Sequence, residues 1–106
     1  MNISDTVDFT REISQEISST PYVVLEDGLY NMTAKIKNTA RFNQLKMFAQ
    51  SGGVDFECKI IDENIDWKSI QIEKVVIKNG KIKIGFYADG QDNSFCLVDD
   101  VTLVKQ

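Results

Sequence analysis

The strongest constraint in this sequence is the alternation of apolar and polar residues, which recurs along most of the chain. It is unbroken from Tyr30 through Met32, Ala34 and Ile36, with a polar residue after each. A period of two places apolar side chains on one face of a half-buried β-strand, whereas an amphipathic helix needs a period near 3.6. We find no helical stripe, so the sequence predicts an all-β protein.

Turn signals separate the alternating segments. Asp27-Gly28, Ser51-Gly52-Gly53 and Asn79-Gly80 contain residues that tolerate positive φ, and Asn-Gly is a strong two-residue hairpin signal. About seven strands joined by such turns favour an antiparallel β-sandwich. Periodicity alone does not separate a jelly roll from an immunoglobulin-like arrangement.

The last predicted strand contains a change of parity. Its apolar residues occupy even positions at Cys96 and Val98 but odd positions at Val101 and Leu103. A β-bulge at Asp99-Asp100 would restore one continuous inward face. One of these aspartates should then point to a loop or the sandwich edge, where it accepts backbone N–H bonds or binds a hard cation; we favour the structural role.

Length and charge exclude several classes of protein. A chain of 106 residues is long enough for one core and too short for two, so we expect a single domain at residues 1–106. The net charge is −4 and lysines alternate with acids, which argues against nucleic acid as a partner. No apolar run approaches the roughly 20 residues of a membrane span. The chain has no histidine, which excludes every triad that depends on imidazole. Since the sequence also has no recognisable catalytic site, we expect no enzyme activity from this domain.

Cys58 and Cys96 allow two interpretations. They would form a disulfide if their strands lay side by side with both side chains on the same face. Each lies among β-branched and aromatic neighbours, where cysteine often behaves as a small apolar residue, so we favour two free thiols. Neither residue has the neighbours expected of a nucleophile or a metal ligand.

Two aromatic residues fall on the polar side of their strands. Phe48 shares that side with Lys46 and Gln50, and Tyr87 shares it with Gly85, which would leave a shallow gap for a flat ligand. Sugars pack their C–H groups on exposed aromatic rings and bond their hydroxyls to amides, carboxylates and cations. These residues are therefore candidates for sugar binding; the alternative is that loops or the N-terminal segment cover both rings.

Two further candidates lie near turns. Trp67 begins a strand after an acidic loop, where it either seals the end of the sandwich, the commoner use, or forms a binding platform. The loop from Asp89 to Ser94 carries side chains that can bond hydroxyls or calcium, although such loops are usually only solvated turns.

Three blocks of sequence resemble a known kind of module. They are Glu26 to Ala34, Trp67 at the start of a strand, and Gly85 to Gly90 followed by Ser94 to Leu103. From about Ile13 to Val104 the chain resembles the galactose-binding-like β-sandwich modules of bacterial glycoside hydrolases, similar to those of arabinogalactan endo-1,4-β-galactanases. Such modules commonly have a tryptophan just before the cysteine, where this chain has Phe95.

The resemblance implies a jelly-roll, non-catalytic carbohydrate-binding module that anchors an arabinogalactan- or galactan-degrading enzyme to its polysaccharide. It implies a module from a larger secreted, periplasmic or cell-surface protein, with a saccharide and the parent's catalytic domain as partners. A structural calcium would take Asp99 or Asp100 as ligands. The predicted sugar-binding residues are Tyr87, Phe48, Trp67, Gln50, Lys46 and Asp89. The rival hypothesis is a structural or protein-interaction spacer whose aromatic residues are all buried.

Overall fold

A computed structural model describes residues 2–4, 9–18, 25–39, 42–91 and 93–106. These residues form eight strands, where the sequence predicted about seven: β1 (Asn2–Ser4), β2 (Phe9–Ser18), β3 (Gly28–Asn38), β4 (Phe42–Ser51), β5 (Val54–Lys59), β6 (Asn64–Ile77), β7 (Lys81–Gly90) and β8 (Phe95–Lys105). Among them there is no helix long and apolar enough to span a bilayer.

The strands form two antiparallel sheets of four strands each. The first sheet has the order β1-β8-β3-β6, and the second has the order β2-β7-β4-β5. All connections but the β4–β5 hairpin pass from one sheet to the other, which is the arrangement of an eight-stranded jelly roll. The predicted antiparallel sandwich is confirmed.

The core lies between the inner faces of the two sheets. In β3 the alternation places Met32, Ala34 and Ile36 in this core, each no more than 2% exposed. Met47 of β4 and Ile82 of β7 face them from the second sheet and are buried to the same degree. Side chains of opposite parity therefore form the two outer faces, which are the surfaces available for binding.

The predicted bulge in β8 is present. Asp100 has a φ of 50°, and the pairing between β3 and β8 shifts register between Thr33 and Lys35. Asp99 Oδ1 accepts the N–H of Asp100 at 2.8 Å, and Asp100 Oδ2 lies 3.4 Å from Lys35 Nζ. One aspartate thus bonds the bulge backbone, and the other pairs with a lysine of the neighbouring strand.

A second bulge lies in β6. The buried residues of this strand change from even positions, Ile70 and Ile72, to odd positions, Val75 and Ile77. Lys74 absorbs the change with a φ of 56°. The bulge keeps the second half of this 14-residue strand, from Ile70 to Ile77, facing the same core.

Two tight turns join neighbouring strands. Gly52 and Gly53 have φ values of 58° and 76°, and Asn79 and Gly80 have values of 60° and 63°, as type I′ hairpins require. The buried Ser51 hydroxyl connects the two turns, because it donates to the carbonyl of Lys81 at 2.7 Å and accepts the N–H of Lys78 at 2.9 Å. The predicted β4–β5 hairpin is confirmed. Asn79-Gly80 also forms a tight turn, closed by a bridge between Lys78 and Lys81, but the strands that it joins belong to different sheets.

Both cysteines are free thiols, as predicted. Cys96 lies on the inner face of β8 in the first sheet and is fully buried, while Cys58 is half-buried in β5 at the edge of the second sheet. Burial raises the pKa of the Cys96 thiol to about 12. Cys96 is therefore a packing residue that stays protonated at neutral pH.

Candidate functional site

The outer face of the second sheet carries most of the predicted sugar-binding residues. Cross-strand pairing places Tyr87 of β7 between Glu12 of β2 and Lys46 of β4. The two neighbouring rows along the strands contain Phe48 and Gln50 of β4. We call this surface the Tyr87 face; its residues are Glu12, Lys46, Phe48, Gln50, Asp55, Glu57, Lys83, Gly85, Tyr87 and Asp89.

Phe48 lies on this face but is only 5% exposed. It pairs with Gly85, and its ring covers the glycine so closely that a Cβ built there would lie 2.9 Å from Phe48 Cζ. The gap expected above Gly85 is thus filled by Phe48 instead of being open to a ligand. The ring forms the floor of the face, and the prediction of an open slot at Gly85 is wrong.

Tyr87 is the half-exposed aromatic residue of the face. Lys46 Nζ lies 5.5 Å from the centroid of its ring and 2.7 Å from Glu57 Oε2. The hydrogen bond from Lys46 holds the pKa of the Glu57 carboxyl below its usual range. A charged pair is therefore fixed beside the ring, where it can bond the hydroxyls of a sugar that packs on Tyr87.

A second charged pair lies on the other side of Phe48. Lys83 Nζ is 5.9 Å from the centroid of the Phe48 ring and 3.4 Å from Glu12 Oε2. The two pairs, Lys83–Glu12 and Lys46–Glu57, give the face donors and acceptors on both sides of its aromatic floor. The charges within each pair balance, so the pairs themselves do not select for an ionic ligand.

The face is concave at two adjoining places. A depression of about 90 Å³ is bounded by Tyr87, Phe48, Lys46 and the carboxylates of Glu12, Asp55 and Glu57. Toward the β4–β5 turn a wider one of about 370 Å³ includes Gln50 and Asp55 as well. Because these two residues border both, the depressions adjoin, and we call the two together the polar trough.

The three acidic residues of the smaller depression were not singled out from sequence. Glu12, Asp55 and Glu57 belong to the edge strands β2 and β5, which pair with β7 and β4. Their outward parity was readable in the alternation, but which strands would flank Tyr87 and Phe48 depends on sheet order. Asp89, which was predicted, lies on the same face one pleat beyond Tyr87 and accepts a 3.5 Å bond from Thr10 Oγ1.

Trp67 lies on the opposite side of the molecule. It belongs to the outer face of β6 in the first sheet, it is 45% exposed, and Lys37 Nζ lies 5.3 Å from its ring centroid. The interpretation of Trp67 as a seal at the end of the sandwich is wrong, because the side chain faces outward from within the strand. Since packed sheets are about 10 Å apart, Trp67 cannot share one site with Tyr87.

The described residues contain no cluster of three or more acids or cysteines placed to hold a metal ion. Asp99 and Asp100, the predicted calcium ligands, bond the bulge backbone and Lys35 instead. The loop residue Asp92 lies outside the described residues. The calcium site therefore stays a prediction, and the described residues offer no set of ligands for it.

Comparison with solved structures places the fold among carbohydrate-binding-module β-sandwiches. TmCBM61, solved with β-1,4-galactotriose, matches 99% of this chain and 69% of its own with a TM-score of 0.78 and 22% identity. A family 16 carbohydrate-binding module matches 98% of this chain and 74% of its own, with a TM-score of 0.66 and 15% identity. The sugar-binding EclA C-terminal domain matches 95% and 81%, with a TM-score of 0.56 and 13% identity. The fold expected from the resemblance is confirmed.

A sequence relative is known in a much larger enzyme. A 1,6-α-glucosyltransferase from Sporosarcina globispora is 29% identical over 94 residues, which are 87% of this chain. The chain spans 7% of the length of that protein. No family model matches the chain.

Proposed function

We propose that this domain is a non-catalytic carbohydrate-binding module whose Tyr87 face binds an oligosaccharide or polysaccharide chain. The observation that carries the proposal is the half-exposed Tyr87 ring, which lies one row from the buried Phe48 ring on a face that carries two lysine–glutamate pairs. A pyranose packed on the ring would find donors and acceptors for its hydroxyls on each side.

The trough suits a chain of sugars more than a single residue. It runs from Tyr87 to the β4–β5 turn, and its borders carry amide and carboxylate groups from β2, β4 and β5 and lysines from β4 and β7. An open surface of this kind makes few contacts per sugar, so we expect weak binding that gains strength along a polysaccharide. In a larger enzyme the module would then hold the catalytic domain near its substrate.

Two ligand classes deserve the first trials. The neighbour TmCBM61 was solved with β-1,4-galactotriose, in keeping with the predicted galactan- or arabinogalactan-degrading parent. The sequence relative is named as a 1,6-α-glucosyltransferase, which favours α-glucans. We place β-1,4-galactan first because this domain has the same fold as TmCBM61. We also propose that the parent protein is a secreted or cell-surface glycoside hydrolase.

One observation favours the rival spacer function. Phe48 is buried, and the lysine of each charged pair lies against an aromatic ring of the face. Such contacts would also stabilise a surface that binds nothing. The spacer hypothesis therefore predicts that these residues affect stability and have no effect on sugar binding.

Calorimetric titration separates the two functions. Wild-type protein and the variants Tyr87→Ala and Tyr87→Phe would be titrated with β-1,4-galactotriose and isomaltotriose, with Val104→Ala, at an exposed position of the first sheet, as the control. We expect binding to be lost from the Tyr87 face in Tyr87→Ala and kept in Tyr87→Phe and Val104→Ala, because the ring supplies the packing surface. Failure of every variant and of the wild type to bind either sugar would favour the spacer.

A further inference from the structure

We propose that the outer face of the first sheet carries a second carbohydrate-binding surface around Trp67 and Phe95, which makes the module bivalent. We define this Trp67 face by Lys37, Ile65, Trp67, Phe95 and Leu97. This inference rests on the proposed function of the Tyr87 face, because the class of ligand, a saccharide, is taken from it. It adds a separate site on the opposite side of the sandwich.

The two aromatic residues of the Trp67 face are exposed. Trp67 is 45% exposed on β6, and Phe95 is 40% exposed on β8. Both strands pair with β3, but Trp67 lies opposite Lys37 and Phe95 lies opposite Thr39. Two strand spacings and two residues along the strand thus separate their backbones, about 12 Å in all. A floor of two separated rings suits two sugar units of a chain that runs across the strands.

A cation and a hydroxyl lie beside the rings. Lys37 of β3 places its ammonium 5.3 Å from the centroid of the Trp67 ring and pairs in register with Leu97. Thr39, directly after β3, bonds the backbone of Phe95 through its N–H and its hydroxyl. A cation and two exposed rings thus occur together on this face.

The size of the apolar area favours a sugar over a protein partner. The next row along the sheet is wholly polar, because Lys35 there pairs with Asp99 on one side and Ser69 on the other. The apolar part therefore extends over only a few residues, whereas a stable protein interface buries about 800 Å² on each partner. Two rings with a lysine between them match the dimensions of a short saccharide.

Two sites on opposite faces have a mechanical consequence. A polysaccharide chain bound by the Tyr87 face leaves the Trp67 face free for a second chain, so the module would bridge neighbouring chains. Binding to insoluble or long-chain galactan should then exceed binding to the trisaccharide by about 100-fold or more through avidity.

The fluorescence of Trp67 reports this face selectively, because Trp67 is the only tryptophan of the chain. Emission and calorimetric stoichiometry would be followed during titration with β-1,4-galactotriose and with isomaltotriose. The proteins would be wild type, Tyr87→Ala, Trp67→Ala and Trp67→Leu, where leucine keeps apolar bulk and removes the ring plane. Val104→Ala is the control, since Val104 is exposed elsewhere on the first sheet.

We expect about two saccharides per wild-type or Val104→Ala molecule and about one for each of the other variants. The emission change should be saturable and should persist in Tyr87→Ala. Unchanged emission with one site that Tyr87→Ala abolishes would overturn the second surface and leave the proposed function standing. A single site that both Trp67 variants abolish and Tyr87→Ala retains would instead overturn the Tyr87 site. Absence of binding on both faces would overturn both.

Discussion

The ring of Phe48 covers Gly85, its cross-strand partner on β7, and this contact shapes the face that carries Tyr87. Glycine is required there because any Cβ would meet the Phe48 ring on one side and the Ile13 carbonyl oxygen of β2 on the other. The packing of the face thus depends on three adjacent strands of the second sheet.

Gly85→Ala should therefore be destabilising and should displace the Phe48 ring. We expect the free energy of unfolding to fall by about 1–3 kcal/mol, the usual cost of forcing an extra methyl group into a packed site. Chemical denaturation measures the loss. Gly53→Asn is the control, because that position is open and asparagine tolerates its φ of 76°. Equal stability of Gly85→Ala and wild type would contradict the contact.

Ser51→Ala should destabilise the protein, because the Ser51 hydroxyl connects the β4–β5 turn to the β6–β7 turn. The substitution removes the bond to the Lys81 carbonyl and leaves the N–H of Lys78 without its acceptor. We expect a loss of about 1–3 kcal/mol in denaturant unfolding, as for a buried polar group left unsatisfied. Ser69→Ala, on an exposed part of β6, should change stability by less than about 0.5 kcal/mol.

The buried thiol of Cys96 predicts a component of alkaline destabilisation. Its pKa is raised from 9.0 in the unfolded chain to about 12 in the fold, so the unfolded state loses its proton first as pH rises. Stability from this group is complete below pH 9 and is lost up to about pH 12, with a slope of about 1.4 kcal/mol per pH unit. Unfolding measured between pH 8 and 11 should show a shallower decline for Cys96→Ala than for wild type. Parallel declines would show that Cys96 does not titrate this way.

Lys74→Gly should stabilise the protein by relieving the left-handed backbone of the β6 bulge. Lys74 has a φ of 56°, which costs a side-chain-bearing residue about 1–2 kcal/mol. Glycine avoids that cost but loses about 0.5–1 kcal/mol of chain entropy, so we expect a net gain of about 0.5–1 kcal/mol in thermal or denaturant unfolding. The neighbouring Glu73→Gly should be destabilising. A loss in both variants would show that Lys74 is not strained.

The alternation predicted the strands well because each outer face meets solvent and each inner face meets one core. The bulge at Asp99-Asp100 was readable from a change of parity, and the same signal from Ile72 to Val75 marks the bulge at Lys74. Val76 obscured that second signal, because Val75, Val76 and Ile77 together form a continuous apolar run that shows no parity.

Placement of the site required the sheet order. Parity correctly assigned Phe48 and Tyr87 to outer faces, but it could not show that Phe48 pairs with Gly85 and covers it. Parity also could not show that Trp67 and Tyr87 lie on opposite sides of the sandwich. Their strands, β6 and β7, belong to different sheets, and that assignment depends on pairing between residues far apart in sequence. Residue type and period specify a strand's faces, whereas long-range pairing decides which faces combine.

The most direct test of sugar binding by the Tyr87 face is an amide chemical-shift titration of the wild-type domain with β-1,4-galactotriose. We expect saturable shifts that cluster on β4 and β7 at Lys46, Phe48, Gln50 and Tyr87, on the outer face of the second sheet. Saturable shifts that leave these residues unmoved, or flat titrations at millimolar galactotriose and isomaltotriose, would contradict sugar binding by the Tyr87 face.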